Sequence, residues 1–110
     1  MRELNCLSDT QLVMWPVTED GVPIDPNTIW MRVFLRAGGK IFYCINDPQG
    51  NESKRCHIDG ASLIIDIPAK HLRPGTLEYM IEVREKNEFF CDGYKNTLSP
   101  NFKPTEFVMT

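Results

Sequence analysis

Along two segments of this chain, apolar and polar side chains alternate, and this period of two constrains the fold more than any other feature. In the segment 28–36 the alternate large apolar residues are Ile29, Met31, Val33 and Leu35. In the segment 77–84 they are Leu77, Tyr79, Ile81 and Val83. Because successive residues of a β-strand point to opposite faces, the pattern predicts two strands with one face each in a core. The same pattern on a helix would give no coherent apolar stripe.

Shorter segments of similar character are predicted as further strands, separated by turn residues. These segments are residues 11–17, 40–45, 53–58, 62–67, 88–91 and 106–109. Gly38-Gly39 and Asp59-Gly60 predict tight hairpins between neighbouring strands. One helical turn at most is predicted, at 68–72, where a proline begins the segment. The polar segment 92–104 contains two prolines and is predicted as a surface loop or an edge segment.

Seven to eight short strands with turns between them predict an all-β fold, an immunoglobulin-like β-sandwich of antiparallel strands. The chain has 110 residues, of which 42% are hydrophobic. A chain of this length and composition is expected to form one domain, residues 1–110, around a single core.

The charge distribution argues against nucleic acid as a partner. The chain has 12 Lys+Arg and 15 Asp+Glu, and its longest basic run is Lys54-Arg55. Neutralising several phosphates requires clustered cations, which these scattered residues do not supply. No apolar run approaches the roughly 20 residues of a membrane-spanning helix, and no signal core is visible near the N-terminus. We therefore expect no membrane association.

Four cysteines leave the redox state of the chain open. They are Cys6, Cys44, Cys56 and Cys91. No close C-x-x-C pair is present, so no metal site and no cofactor are predicted. If Cys44 and Cys56 lie on neighbouring strands, they are the pair expected to meet, as a disulfide or as ordinary thiols.

No catalytic motif is found, and no catalytic, cofactor-binding or metal-ligating residue is predicted. One enzymatic alternative remains, in which Cys44 or Cys91 acts as a nucleophile with His57. Cys56 and His57 cannot pair with each other, because adjacent strand residues point to opposite faces. The loop 46–52 does not match the calcium-binding pattern. Its acidic residues are interpreted as turn residues, with a calcium site formed by loops as the alternative.

Aromatic residues predict an interaction surface formed by Trp30, Phe34 and Tyr94. Trp30 and Phe34 lie on the face of their strand opposite the apolar one, so both faces of this strand carry large apolar groups. The second face requires a cover. That cover is supplied by neighbouring strands, by another protein chain or by a sugar. Tyr94 follows the turn Asp92-Gly93 and is predicted as an exposed ring.

The order of these features resembles the immunoglobulin-like N-terminal domain of phage baseplate upper proteins, which are tail proteins. The resemblance lies in the opening segment 15–25 (Trp-Pro-Val-Thr-Glu-Asp-Gly-Val-Pro-Ile-Asp), the alternating strand 29–36, the hairpin Gly39-Lys40, and the segment 74–83 (Pro-Gly-Thr-Leu-Glu-Tyr-Met-Ile-Glu-Val). It covers about residues 9–92. The four cysteines and the tail 93–110 have no counterpart in that pattern.

The resemblance implies a structural module of a virion or prophage that joins tail components and carries no catalytic residues. With no signal core visible near the N-terminus, the expected location is a virion or the bacterial cytoplasm. We therefore expect a non-enzymatic assembly module that makes protein–protein contacts, with tail components or with further copies of itself. A small carbohydrate-binding module is the alternative, suggested by the aromatic residues and the acidic loops.

Overall fold

The computed structural model describes residues 2–18 and 20–110, which form nine strands and no helix. The strands are β1 (Arg2–Leu4), β2 (Thr10–Met14), β3 (Trp30–Ala37), β4 (Lys40–Asn46), β5 (Cys56–Asp59), β6 (Ser62–Ile67), β7 (Gly75–Lys86), β8 (Tyr94–Leu98) and β9 (Lys103–Met109). Two sheets pack together as a sandwich. The predicted all-β sandwich is confirmed, with nine described strands in place of seven or eight.

The larger sheet has the order β1-β9-β7-β3-β4. β8 also pairs with β7. One edge of the long strand β7 pairs with β9 along its first half and with β8 along its second half. At the exchange point the Ser99 backbone N–H donates to the Ile81 carbonyl at 2.9 Å. The prediction that all strands are antiparallel was wrong for one pair, since β1 runs parallel to β9. Both ends of the chain reach the same sheet edge, which local sequence does not encode.

The smaller sheet has the order β2-β6-β5 and is antiparallel. On one side of the sandwich, a bridge between Ile45 and Lys54 links the chain just before β5 to the end of β4, with N–O distances of 3.1 and 3.0 Å. On the other side the smaller sheet ends at β2. The smaller sheet of three strands therefore faces a larger sheet of six, and part of the inner face of β7 and β9 lies beyond β2.

The core forms where β3 faces β6. The alternate residues Met31, Val33, Leu35 and Ala37 of β3 are at most 1% exposed. From β6, Leu63, Ile65 and Ile67 pack in the same cluster, and Leu77 of β7 is fully buried. Burying one such side chain stabilises the fold by about 1.5–3 kcal/mol. The predicted inward faces of the two alternating strands are thus confirmed.

The predicted hairpin at Gly38-Gly39 joins β3 to β4, and it needs glycine at Gly38 for two reasons. Both glycines have positive φ, 59° and 80°, as a two-residue hairpin of this kind requires. A Cβ on Gly38 would also lie 2.5 Å from Arg73 Cβ and 2.6 Å from the Pro74 carbonyl oxygen. A Cβ on Gly39 would meet nothing within 4 Å.

Two predicted elements were wrong, and one strand was missed. Residues 88–91 form the turn of the β7–β8 hairpin, because Asn87 Oδ1 accepts the Phe89 N–H at 3.0 Å and the Asn87 N–H donates to Gly93 at 2.9 Å. The strand in this region is instead β8, inside the predicted edge segment. Residues 68–72 form turns and bends without a helical turn. β1 was not predicted.

Candidate interaction site

The outer face of the larger sheet carries two of the predicted interaction residues, Trp30 and Phe34. Phe34 lies opposite Tyr43 of β4, with ring centroids 6.2 Å apart. Trp30 lies opposite Arg84 of β7. Arg32 lies between Trp30 and Phe34 on β3, so rings and guanidinium groups alternate along the strand.

Arginine side chains cover the rings on this face. The Arg32 guanidinium carbon lies 4.9 Å from the Phe34 ring centre, and that of Arg84 lies 4.2 Å from the Trp30 ring. Glu82 holds Arg32 in place by accepting from Nη2 at 2.6 Å and from Nε at 2.9 Å. Trp30 and Phe34 are half-buried as a result. The Trp30 Nε1 is buried without a hydrogen-bond partner in the described chain, and such an unpaired donor lowers stability.

Tyr94, the third predicted residue, comes close to Trp30. It begins β8 with 37% of its surface exposed, and Arg84 lies 5.7 Å from its ring centre as well as against Trp30. Trp30 and Tyr94 line one groove of about 520 Å³ together with polar side chains that include Asn51 and Glu52. Phe34 lies farther along β3, outside the lining of this groove. The role of the three residues in binding stays a prediction.

A tyrosine on the same face has an altered acidity. Lys54 Nζ donates to Tyr43 Oη at 2.8 Å. This hydrogen bond, and then the charge of Lys54, lower the pKa of Tyr43 below its ordinary value. The outer face therefore combines aromatic rings with cationic side chains, of which Arg32 and Arg36 are paired with Glu82 and Glu78.

A second site, which the sequence reasoning missed, is an apolar cleft at the open side of the sandwich. Its floor is formed by Val33 and Leu35, and one wall is formed by the half-buried Tyr79, Ile81 and Phe107. The opposite wall is the continuous segment 12–17. Because consecutive residues of this segment line the cleft, one edge of β2 borders it. Among the described residues, β2 pairs with β6 through its other edge.

Trp15 lies at the mouth of this cleft with 68% of its surface exposed. Val13 and Val17 are exposed at 45% and 53%, so the apolar surface continues outward from the cleft. The signal was present in the sequence, since Val13, Trp15 and Val17 alternate along a predicted strand. This alternation alone did not predict an exposed cleft, because the sequence does not show which strand lies at the edge of a sheet.

Polar side chains in the loop 46–52 and at the cleft have structural partners. Asp47 accepts backbone N–H groups of Gln49, Asn51 and Glu52 at 3.0–3.2 Å, as a turn carboxylate does. Thr105 Oγ1, at the cleft, donates to the Leu77 carbonyl at 2.7 Å. In residues 2–18 and 20–110, no group of three His, Cys, Asp or Glu side chains is placed to hold a metal ion. Nor does any helix there have the length and apolar character needed to cross a membrane.

His57 and the cysteines of the enzymatic alternative point to different places. His57 is on the exposed side of β5, and its Nδ1 lies 2.8 Å from Asp66 Oδ2. Cys44 is buried in the core cluster, and Cys56 packs against that cluster. Cys91 is exposed in the β7–β8 turn. No protein-family model matches the chain, and no curated protein matches it.

Proposed function

We propose that this protein is a non-enzymatic assembly module that binds another protein through the cleft between β2 and β7–β9. The observation that carries the proposal is the exposed Trp15 at the mouth of an apolar cleft that reaches the core. Tryptophan is enriched among the residues that dominate protein–protein binding energy, above all beside a pocket that excludes water.

The size and borders of the cleft favour a protein over a small molecule. Its volume is about 230 Å³, whereas sites for whole small-molecule ligands are usually about 300–1,000 Å³. A cleft of this size fits apolar side chains of a partner. The bordering edge of β2 offers backbone N–H and C=O groups, so an extended segment with alternate apolar residues fits both features.

The identity of the partner is the finer part of the proposal. The resemblance of residues 9–92 to the N-terminal domain of phage baseplate upper proteins favours a virion or prophage tail component, or a second copy of this chain. A role in joining tail components is compatible with a cleft lined by apolar side chains.

The proposal is tested on the full chain with purified products of the neighbouring reading frames. Light scattering after size exclusion measures self-association, and biolayer interferometry measures binding to each product. Trp15→Ala is expected to weaken the observed interaction at least about tenfold, as for a hot-spot residue. Ile41→Ala is the matched control, because Ile41 is 59% exposed on β4 and lies outside the cleft lining.

Two results would contradict the proposal. One is a chain that stays monomeric at high concentration and binds none of the neighbouring products. The other is a complex whose affinity is the same for Trp15→Ala and for Ile41→Ala.

Carbohydrate binding is the second candidate, and the groove beside Trp30 and Tyr94 favours it. Two rings there lie with amide and carboxylate side chains, the combination of apolar and polar groups that sugars require. A glycan array on the native chain and on Tyr94→Ala tests this candidate. Binding that Tyr94→Ala abolishes and Trp15→Ala leaves intact would place function at the groove, and an array without binding would remove the candidate.

A further inference from the structure

Two cysteines from different sheets meet at the closed side of the sandwich. Cys44 is fully buried on β4, and Cys56 is half-buried at the start of β5. Cys56 packs against the buried core cluster that contains Cys44. Cys56 Sγ also donates to the carbonyl of Ile45, the neighbour of Cys44, at 3.0 Å. All four cysteines of the chain are free thiols in this structure.

The backbone places Cys56 there through an uncommon conformation. Ile45 pairs with Lys54 across the two sheets, and the chain then turns at Arg55, a non-glycine residue with φ of 62°. Beyond this turn the Arg55 carbonyl accepts from Asp66 of β6 at 2.8 Å. At Arg55 the chain therefore changes from pairing with β4 of the larger sheet to pairing with β6 of the smaller sheet. A left-handed residue with a side chain is costly, so the surrounding contacts must fix this position.

We propose that Cys44 and Cys56 are a site of oxidative modification, at which hydrogen peroxide produces a disulfide between the two sheets. The Cys56 thiolate attacks one peroxide oxygen, which breaks the O–O bond, releases hydroxide and leaves a sulfenic acid on Cys56. Cys44 then loses its proton and attacks that sulfur, and hydroxide leaves from it as water. In sum, two thiols and one peroxide yield one disulfide and two waters.

The two thiols are suited to these different roles. The neighbouring Cys44 thiol lowers the pKa of Cys56, although burial and Asp66 oppose this effect. The Cys56 thiol, together with burial, raises the pKa of Cys44. Cys56 is also the more exposed of the two, so it is the thiol that a small oxidant reaches. This inference is independent of the protein-binding role proposed above.

The Cys44–Cys56 disulfide would link the two sheets covalently on the side of the sandwich opposite the cleft. The cleft beside β2 would stay open. The bond would link β4, at an edge of the larger sheet, to β5, at an edge of the smaller one. It encloses a loop of about a dozen residues, so oxidation is expected to raise Tm by on the order of 10 °C.

The full native chain is treated with hydrogen peroxide, alkylated and digested with trypsin without reduction. Because cleavage follows Lys40, Lys54, Arg55 and Lys70, Cys44 and Cys56 fall on separate peptides, 41–54 and 56–70. The expected product is these two peptides linked, with a mass about 2 Da below their sum, and reduction separates them.

Matched variants identify the pair. The double variant Cys6→Ser/Cys91→Ser keeps both thiols and is expected to give the same linked peptides and the same rise in Tm. Adding Cys56→Ser should abolish both effects. The proposal is overturned if peroxide-treated native chain carries sulfinic acid on Cys56 without linkage, or if both thiols stay open to alkylation under denaturing conditions.

Discussion

Replacing Asn46 with alanine should destabilise the fold far more than an ordinary asparagine substitution. Asn46 is the last residue of β4 and is only 3% exposed. Its Nδ2 donates to the carbonyl of Pro26 at 2.7 Å and to the carbonyl of Ile29 at 3.1 Å. One amide group therefore fixes the turn that leads into β3 and delivers Trp30 to its groove.

The magnitude follows from the two hydrogen bonds. Each contributes about 0.5–1.5 kcal/mol net, and a buried carbonyl left without a donor costs about 1–3 kcal/mol. Pro26 is among the fully buried residues, so water cannot replace the lost donor at its carbonyl without rearrangement. We expect Asn46→Ala to lower the free energy of unfolding by about 2–4 kcal/mol. In a chain of this length, that change corresponds to a Tm lower by about 10–15 °C.

Urea unfolding followed by circular dichroism measures this loss. Asn101→Ala is the control, because Asn101 is exposed and its side chain makes no hydrogen bond within the described residues. The control should stay within about 0.5 kcal/mol of the native chain. If Asn46→Ala unfolds with the same midpoint as Asn101→Ala, the two carbonyl contacts do not hold the turn, which would refute the prediction.

Three further predictions follow from the fold and the outer face. Gly38→Ala should cost at least about 1 kcal/mol more than Gly39→Ala in urea unfolding, since both positions have positive φ but only the first meets neighbouring atoms; equal costs would refute the contact. Lys54→Met should raise the pKa of Tyr43 towards its ordinary value, measured by the tyrosinate absorbance during alkaline titration. An unchanged titration would show that the hydrogen bond does not persist in solution. Leu77→Ala should destabilise the chain by about 2–5 kcal/mol, because this fully buried side chain leaves a cavity; a loss below about 1 kcal/mol would contradict its place in the core.

Local pattern was enough to predict the individual strands that form the core. The alternation in 28–36 and 77–84 identified β3 and β7 and their buried faces, because side-chain direction in a strand depends only on position along it. Gly38-Gly39 identified its hairpin because two positive φ angles are needed there. The strand prediction for residues 88–91 was wrong because it also relied on local pattern alone. The short apolar run there lies in a turn that hydrogen bonds of Asn87, with Phe89 and Gly93, close.

The candidate site could be predicted only in part. The sequence placed Trp30 and Phe34 on one face, and the structure adds that arginines from β3 and β7 cover them. It could not show that Trp15 lies beside a cleft. Trp15 and Phe107 are distant in sequence, and their shared cleft depends on which strands pair.

The sequence by itself determined that this chain forms strands and which side of the strongest ones is buried, because alternation is a property of adjacent residues. Only the tertiary structure decided that six strands face three, that the chain ends share one sheet edge, and that Cys56 packs beside the core cluster that contains Cys44. These features depend on hydrogen bonds between segments far apart in the chain. Which segments pair depends on the free energy of the whole folded core, and a local sequence pattern does not specify that free energy.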